Sequence, residues 1–399
     1  MKSKTSIVVL FMQILIMTLF FGRFNVNIGF AFKPYMFMSI FNIFFLFKYM
    51  KFSKLLTFEK AMLIFILVYS STALHFSYPE AHLRFIFAFY VILIFYFSTR
   101  GLLISCSIDE VEKMISKSGL IVSILSLTYY FMGVYKAGMN FHGNNISYYG
   151  LIIDRSIPRL TGIVSDDPNI SAFFITLYFF YFLNNLDSNR NRICFIITLI
   201  CIILTFSRGA YISILIALVI SFMIEKDRKW KCRSILLAII VLFVLVNVLE
   251  VLGIGYVDLF KRRFLGMLSS GGSGRSIIWK NAFETFIKNP IFGIGINAFL
   301  NYSTSNYGIH NYIHNTFLEV LVESGVVGFF IYGLFLILVF FSCIKLFKKN
   351  KETKFLLVTF IGMMFQMFFL SILLSEVFYF IILLIYRYSK EYLSVDTVD

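Results

Sequence analysis

IHNYIHNTFLEVLVESGVVGFFIYGLFLILVFFSCI, residues 309–344, sets two histidines and two glutamates directly ahead of an apolar run. The run from Val326 to Ile344 carries no charge and is nearly the 20 residues that a membrane helix takes. Similar runs recur at 7–21, 34–47, 61–76, 84–98, 118–135, 169–184, 193–206, 209–224, 235–252, 355–373 and 376–386. The chain of 399 residues is 59% hydrophobic and only 14% charged, which leaves too little polar surface for a soluble domain of this size. A β-barrel would show weaker alternating segments of about 10 residues instead. The expected fold class is therefore an all-α integral membrane protein, a single polytopic domain over 1–399 with about 12 transmembrane helices. Residues 7–21 follow Lys2 and Lys4 and lack a small-residue cleavage site, so they read as a first span rather than a signal peptide.

The connections between these runs sort by charge. Lys2 and Lys4, Lys48 to Lys60, Arg190 and Arg192, Lys226 to Arg233, Lys345 to Lys354, and Arg387 with Lys390 all fall on one side if every run crosses. The positive-inside rule makes that side the cytoplasm and puts both termini there, as in a multi-pass protein of the bacterial inner membrane. This pattern, not a nucleic-acid surface, accounts for the net charge of +15. Five cysteines show no metal spacing, and none falls in an external loop, so no disulfide framework is expected.

Two larger external loops remain, 136–168 and 253–325, and they run against the charge rule. They carry Lys136, Arg155, Arg159, Lys261, Arg262, Arg263, Arg275, Lys280 and Lys288. Arg208 joins them in the tight FSRGA turn at 206–210. Cations kept on the external face, one of them squeezed between two apolar runs, point to an anionic ligand. Within the second loop, GGSGR at 271–275 reads as a hinge. SIIWKNAFETFIKNP after it reads as an amphipathic helix, lying on the outer membrane surface or packed on the protein's own core. GIG at 293–295 reads as a bend, because no strand precedes it to make a nucleotide fingerprint.

If 310–324 is helical, His310 and His314 share one face and Glu319 and Glu323 another. His314 and Glu323 are then half a turn apart at about 100° per residue, so the histidines must combine with groups from elsewhere. Three roles are open. The pair suits a metal by spacing, but Asn311 stands where a metalloprotease helix would carry glutamate. It also suits a structural, hydrogen-bonded role at the membrane edge. Finally, a neutral imidazole can take a proton from a hydroxyl nucleophile while arginines hold an anionic leaving group. On the external face, where nucleotide donors are absent, that third role points to a donor linked to a lipid phosphate.

Several segments resemble, in order, the superfamily of O-antigen ligases and O-antigen or polysaccharide polymerases. Its histidine motif is His, then Asn, Ser or Gln, nine residues, Gly, two residues and Gly. His314-Asn315, Gly325 and Gly328 fit it, whereas His310-Asn311 meets Leu321 at the first glycine position. RLTGIVSDDPN at 159–169, SRGA at 207–210 and GRSIIWKNAFETFIKNPIFGIGINAF at 274–299 resemble the family's arginine segments. The resemblance implies a helical membrane glycosyltransferase that uses an undecaprenyl-pyrophosphate-linked glycan and needs no metal or other cofactor. It implies His314 as the catalytic base, and Arg159, Arg208 and Arg275 as substrate-binding residues; His310 is kept with them. The partners it implies are that lipid-linked glycan, membrane lipid, a chain-length regulator and a flippase, with no nucleic acid. The expected activity is a polysaccharide polymerase; a ligase that moves polymer to lipid A–core is the alternative, and no acceptor-specific motif separates them. A non-enzymatic flippase or transporter would need charges lining the spans, which are nearly free of them.

Overall fold

The computed structural model describes residues 2–28, 30–75, 77–225 and 275–393, with Asp227, Ile235, Leu236, Ile239 and Asp258. Most of the expected span 235–252, Lys261 to Arg263, and the glycines of 271–274 lie outside the described residues. Elsewhere a helix stands at each expected span. These are α1 (Lys2–Thr18), α2 (Pro34–Leu46), α3 (Thr57–Ser71), α4 (Pro79–Leu103), α5 (Ile108–Lys136), α6 (Pro168–Asn184), α7 (Asn189–Leu204) and α8 (Arg208–Ile224). After them come α9 (Arg275–Lys288), α10 (Phe299–Tyr307), α11 (Thr316–Lys349), α12 (Lys354–Gln366) and α13 (Glu376–Tyr392).

Local chemistry sets where many of these begin. Proline opens α2, α4 and α6, where its missing N–H costs nothing. Ser107 and Glu110 cap α5 reciprocally, each side chain bonding the other's backbone N–H. Among the described residues, four helical stretches are long and apolar enough to cross a membrane: Thr57–Leu74, Pro79–Leu103, Ile108–Lys136 and Thr316–Lys349. Phe44, Leu67, Met223 and Phe330 are each at least 70% exposed, a surface suited to lipid rather than water.

The all-α expectation needs correcting. Between α1 and α2 lies a hairpin, β1 (Val26–Asn27) with β2 (Ala31–Phe32). The connection 136–168 folds into a three-stranded antiparallel sheet, β3 (Ile146–Tyr148), β4 (Leu151–Asp154) and β5 (Ile157–Leu160). Leu151, Ile153, Ile157 and Leu160 bury their side chains in the main core, which holds the sheet against the helices. A loop that hydropathy leaves blank is thus an ordered platform, and Arg159 sits in its last strand, paired with Ile152.

The two long cores divide the labour. The larger one joins the apolar faces of α1 to α8 and α11 to α13. The smaller one gathers Ile278, Ala282, Ile294, Ala298, Phe299, Ile313 and Val322, so that α9, α10 and the segments between them form a cap over the start of α11. Helix α9 therefore packs on the protein's own core through Ile278 and Ala282, while Ile277, Phe283 and Ile287 stay exposed.

Helix α11 is broken at Gly325, whose φ of 63° and ψ of −165° leave the helical region. The chain at 290–295 fills the break. Ile294 N donates to Val322 O over 3.1 Å, Gly295 N to Glu323 O over 3.0 Å, and Val326 N to Pro290 O over 2.8 Å. A Cβ on Gly325 would stand 2.2 Å from Ile291 O, so only glycine admits this approach. The GIG bend is thus a docked segment, and the glycine faces a loop rather than a neighbouring helix.

Candidate functional site

The arginines and one histidine singled out by the sequence meet in a cavity of about 410 Å³. Arg159, Arg208, Arg275 and His314 all line it, together with Asp154, Arg155, Asn169, Ser207, Trp279 and Gln366. The volume falls in the range of small-molecule sites.

Each cation arrives by a different route. Arg159 projects from β5 and is 4% exposed. Its Nε donates to Thr205 O over 2.9 Å, Nη1 to Asp154 over 2.9 Å, and Nη2 to Asn169 over 2.9 Å. The guanidinium is held in place by protein on three sides, and what it offers the cavity is fixed charge. Arg208 opens α8 after a turn in which Phe206 takes a φ of 48° and Ser207 caps the helix. The Ser207 hydroxyl donates to Asn169 Oδ1 over 2.8 Å, so the Arg208 turn and the Arg159 network share one amide. Arg275 opens α9 and donates to Phe369 O over 3.0 Å, which ties that helix to the loop after α12.

His314 lies in the segment before α11, not on a helix. Asn315 caps the helix instead, its side chain accepting from Phe317 N and Leu318 N, both at 3.1 Å. The expectation of a helix over 310–324 is corrected: it starts at Thr316, because the cap needs extended backbone at Asn315. His314 itself has a φ of 53°, a conformation uncommon for a residue with a side chain. It is braced by Ser371 Oγ, which accepts from His314 N over 3.1 Å. Trp279 Nε1 donates to Ile313 O over 2.9 Å and braces it from the other side. Thr316 N donates to Met367 O, and Thr316 Oγ1 donates to Leu370 O over 2.6 Å. The expected span 355–373 accordingly ends at Gln366, and residues 367–374 form the loop that supports the histidine.

Burial lowers the pKa of His314 below its ordinary 6.5, and the Arg275 charge lowers it further; Asp167 acts the other way. The imidazole is therefore neutral near pH 7 and able to accept a proton.

His310 is not brought into the cavity. It is exposed and its Nδ1 lies 3.0 Å from Thr304 Oγ1. Among the described residues, no three His, Cys, Asp or Glu side chains are placed to hold a metal ion. Glu319 and Glu323 are buried. Glu323 is structural: it accepts from Asn297 N, Phe299 N and the Tyr69 hydroxyl. Asn169 and Trp279 lay inside the family-like segments, and Gln366 stood as a rare polar residue in an apolar run, but the sequence assigned none of them a role; Ser371 carried no pattern at all. Arg155, in the β4–β5 turn, was visible only as one of several loop cations.

Residues 193–333 match a family model described as O-antigen ligase. The match takes in about a third of the chain. The matched segment contains Arg208, Arg275, Trp279 and His314; Arg159 and Gln366 lie on either side of it. The chain is also similar to the exopolysaccharide production protein ExoQ of Rhizobium meliloti (strain 1021), at 29% identity over 86 residues. That alignment takes in 18% of this chain and 19% of the relative, so it reaches only a fifth or so of that protein's length. The helical, apolar chain is thus similar over part of its length to a family described as O-antigen ligase and to an exopolysaccharide production protein.

Proposed function

We propose that this protein is a surface-polysaccharide polymerase of the bacterial inner membrane, which joins repeat units carried on undecaprenyl pyrophosphate at the external face. The observation that carries this reading is the cavity itself, where His314 stands among Arg159, Arg208 and Arg275 at the edge of an apolar helical body. Polyanion recognition suits arginine, whose planar fork matches phosphate oxygens. The reaction balances simply. His314 takes the proton of an acceptor hydroxyl, and that oxygen bonds to the anomeric carbon of the donor glycan. The anomeric bond to pyrophosphate breaks, and undecaprenyl pyrophosphate leaves with the electron pair while the arginines hold its charge. The twelve-crossing arrangement with both termini in the cytoplasm belongs to this reading, because it puts the cavity on the outer side.

The ligase reading shares the donor and differs in the acceptor, which becomes lipid A–core. The description of the matching family supports it, whereas the name of the exopolysaccharide relative supports chain synthesis. Glycans from cells lacking the chain decide between them, with lipid A–core and carrier-lipid fractions run on separate gels. Core capped by single repeats, with the ladder gone, is the polymerase outcome. Bare core with long polymer on the carrier lipid is the ligase outcome. His314→Ala should reproduce the deletion with the protein still in the membrane, a loss of about 10²–10⁴ in rate. His310→Ala should retain elongation, and a His314→Ala protein of full activity would overturn the assignment.

A further inference from the structure

Two groups in the cavity are not explained by binding a pyrophosphate. Trp279 lies one helical turn beyond Arg275 on α9, and side chains at that spacing stand about 6 Å apart on one face. Its single polar atom, Nε1, is committed to Ile313 O. What the indole presents to the cavity is therefore carbon. Gln366, the last residue of α12, lines the same cavity and is 1% exposed. Its amide nitrogen donates to Thr176 Oγ1 over 2.8 Å, while Oε1 has no hydrogen-bond partner among the described residues. A buried acceptor left open in this way costs stability unless a ligand supplies a donor.

A flat apolar ring, an open acceptor and a set of cations form a combination with a specific complement. A sugar has an apolar C–H face and a rim of hydroxyl donors, and a glycosyl pyrophosphate carries its charge on the atoms next to the ring. Resting on the lipid-pyrophosphate reading above, we infer that Trp279 and Gln366 form the subsite for the sugar directly attached to the pyrophosphate. The indole takes the C–H face, and Gln366 Oε1 accepts from a ring hydroxyl. The bond between Trp279 and Ile313 then couples the seating of that sugar to the backbone beside His314.

The chain contains two tryptophans, Trp230 and Trp279, which makes the subsite readable by fluorescence. Trp230→Phe leaves Trp279 as the reporter, and Trp279→Phe serves as the control. Two probes are titrated into each purified protein in detergent, with binding followed independently by sedimentation of radiolabelled lipid. One is the lipid-linked repeat unit extracted from cells lacking this chain; the other is undecaprenyl pyrophosphate without sugar. The subsite predicts that the glycosylated lipid shifts Trp279 emission, that bare undecaprenyl pyrophosphate binds without that shift, and that the control shows none. Gln366→Leu should weaken binding of the glycosylated lipid about tenfold and leave the bare lipid unchanged. Unmoved Trp279 emission on binding of the glycosylated lipid, or an equal shift with the bare one, overturns the subsite and leaves the polymerase reading intact. Binding of neither lipid overturns both.

Discussion

The Tyr69 hydroxyl donates to the Glu323 carboxylate over 2.5 Å, joining the end of α3 to the helix that follows His314. The same carboxylate accepts from Asn297 N at 2.7 Å and Phe299 N at 3.2 Å, so it also caps α10. One buried side chain thereby ties the larger helical core to the cap that carries Trp279.

Removing the phenolic donor should leave the carboxylate short of one partner. Tyr69→Phe is expected to cost about 1–3 kcal/mol, the penalty for leaving a buried polar group short of a partner. Glu323→Gln should cost at least as much, since its amide nitrogen cannot accept from a backbone N–H. Thermal unfolding in detergent measures both. Glu323→Gln as stable as the unaltered protein would show that the carboxylate is not the tie.

Gly325 and Gly333 stand on the same helix and should respond in opposite ways. Alanine at 325 would place its Cβ against the Ile291 carbonyl at a φ of 63°. With ψ at −165° this is a backbone region held almost only by glycine; a side chain there costs about 1–3 kcal/mol, and the clash adds to it. Nothing lies within 4 Å of a Cβ on Gly333, so alanine there should be tolerated. The yield of monodisperse protein after detergent extraction compares the two; equal yields would contradict the docking of 290–295.

The rate of elongation should depend on pH through His314. A base must be neutral, and burial with the Arg275 charge lowers the folded pKa below 6.5. Activity is thus expected to rise with pH through a midpoint below 6.5 and then level off. Arg275→Gln removes a cation that disfavours the imidazolium, so the midpoint should move to higher pH along with a loss of rate. Asp167→Asn should move it down. Rate profiles in membrane vesicles report the midpoint, and one that stays put in both variants would exclude His314 as the titrating group.

Much of this arrangement was legible in the sequence because lipid-facing helices are written in long apolar runs. Arg208 stood out as a charge squeezed between two apolar runs, whereas Arg159 and Arg275 were separated from the other loop cations only by the family-like segments around them. The start of α11 was missed although its signal was present: Asn315 followed by Thr316 is a helix cap, and the i, i+4 histidine spacing drew attention from it. The sheet over 146–160 was missed because its strands are three or four residues long, too short for an alternating pattern, and β5 is buried along its whole length. Ser371 could not be found at all, since it meets His314 only through the tertiary turn after Gln366.

The helical stretch between the Asn315 cap and the Gly325 break behaves as a ruler. Its residues, 316–324, span about 13.5 Å at 1.5 Å each. One end fixes the imidazole at the cavity, and the other fixes the notch that receives residues 290–295. A single inserted or deleted residue would shift one end by about 100° of rotation relative to the other. The histidine would then turn away from the arginines, or the notch from the loop. The interval is therefore expected to be intolerant of length change even where its side chains can vary, whereas the exposed turn near Asn140 has no such metric to keep.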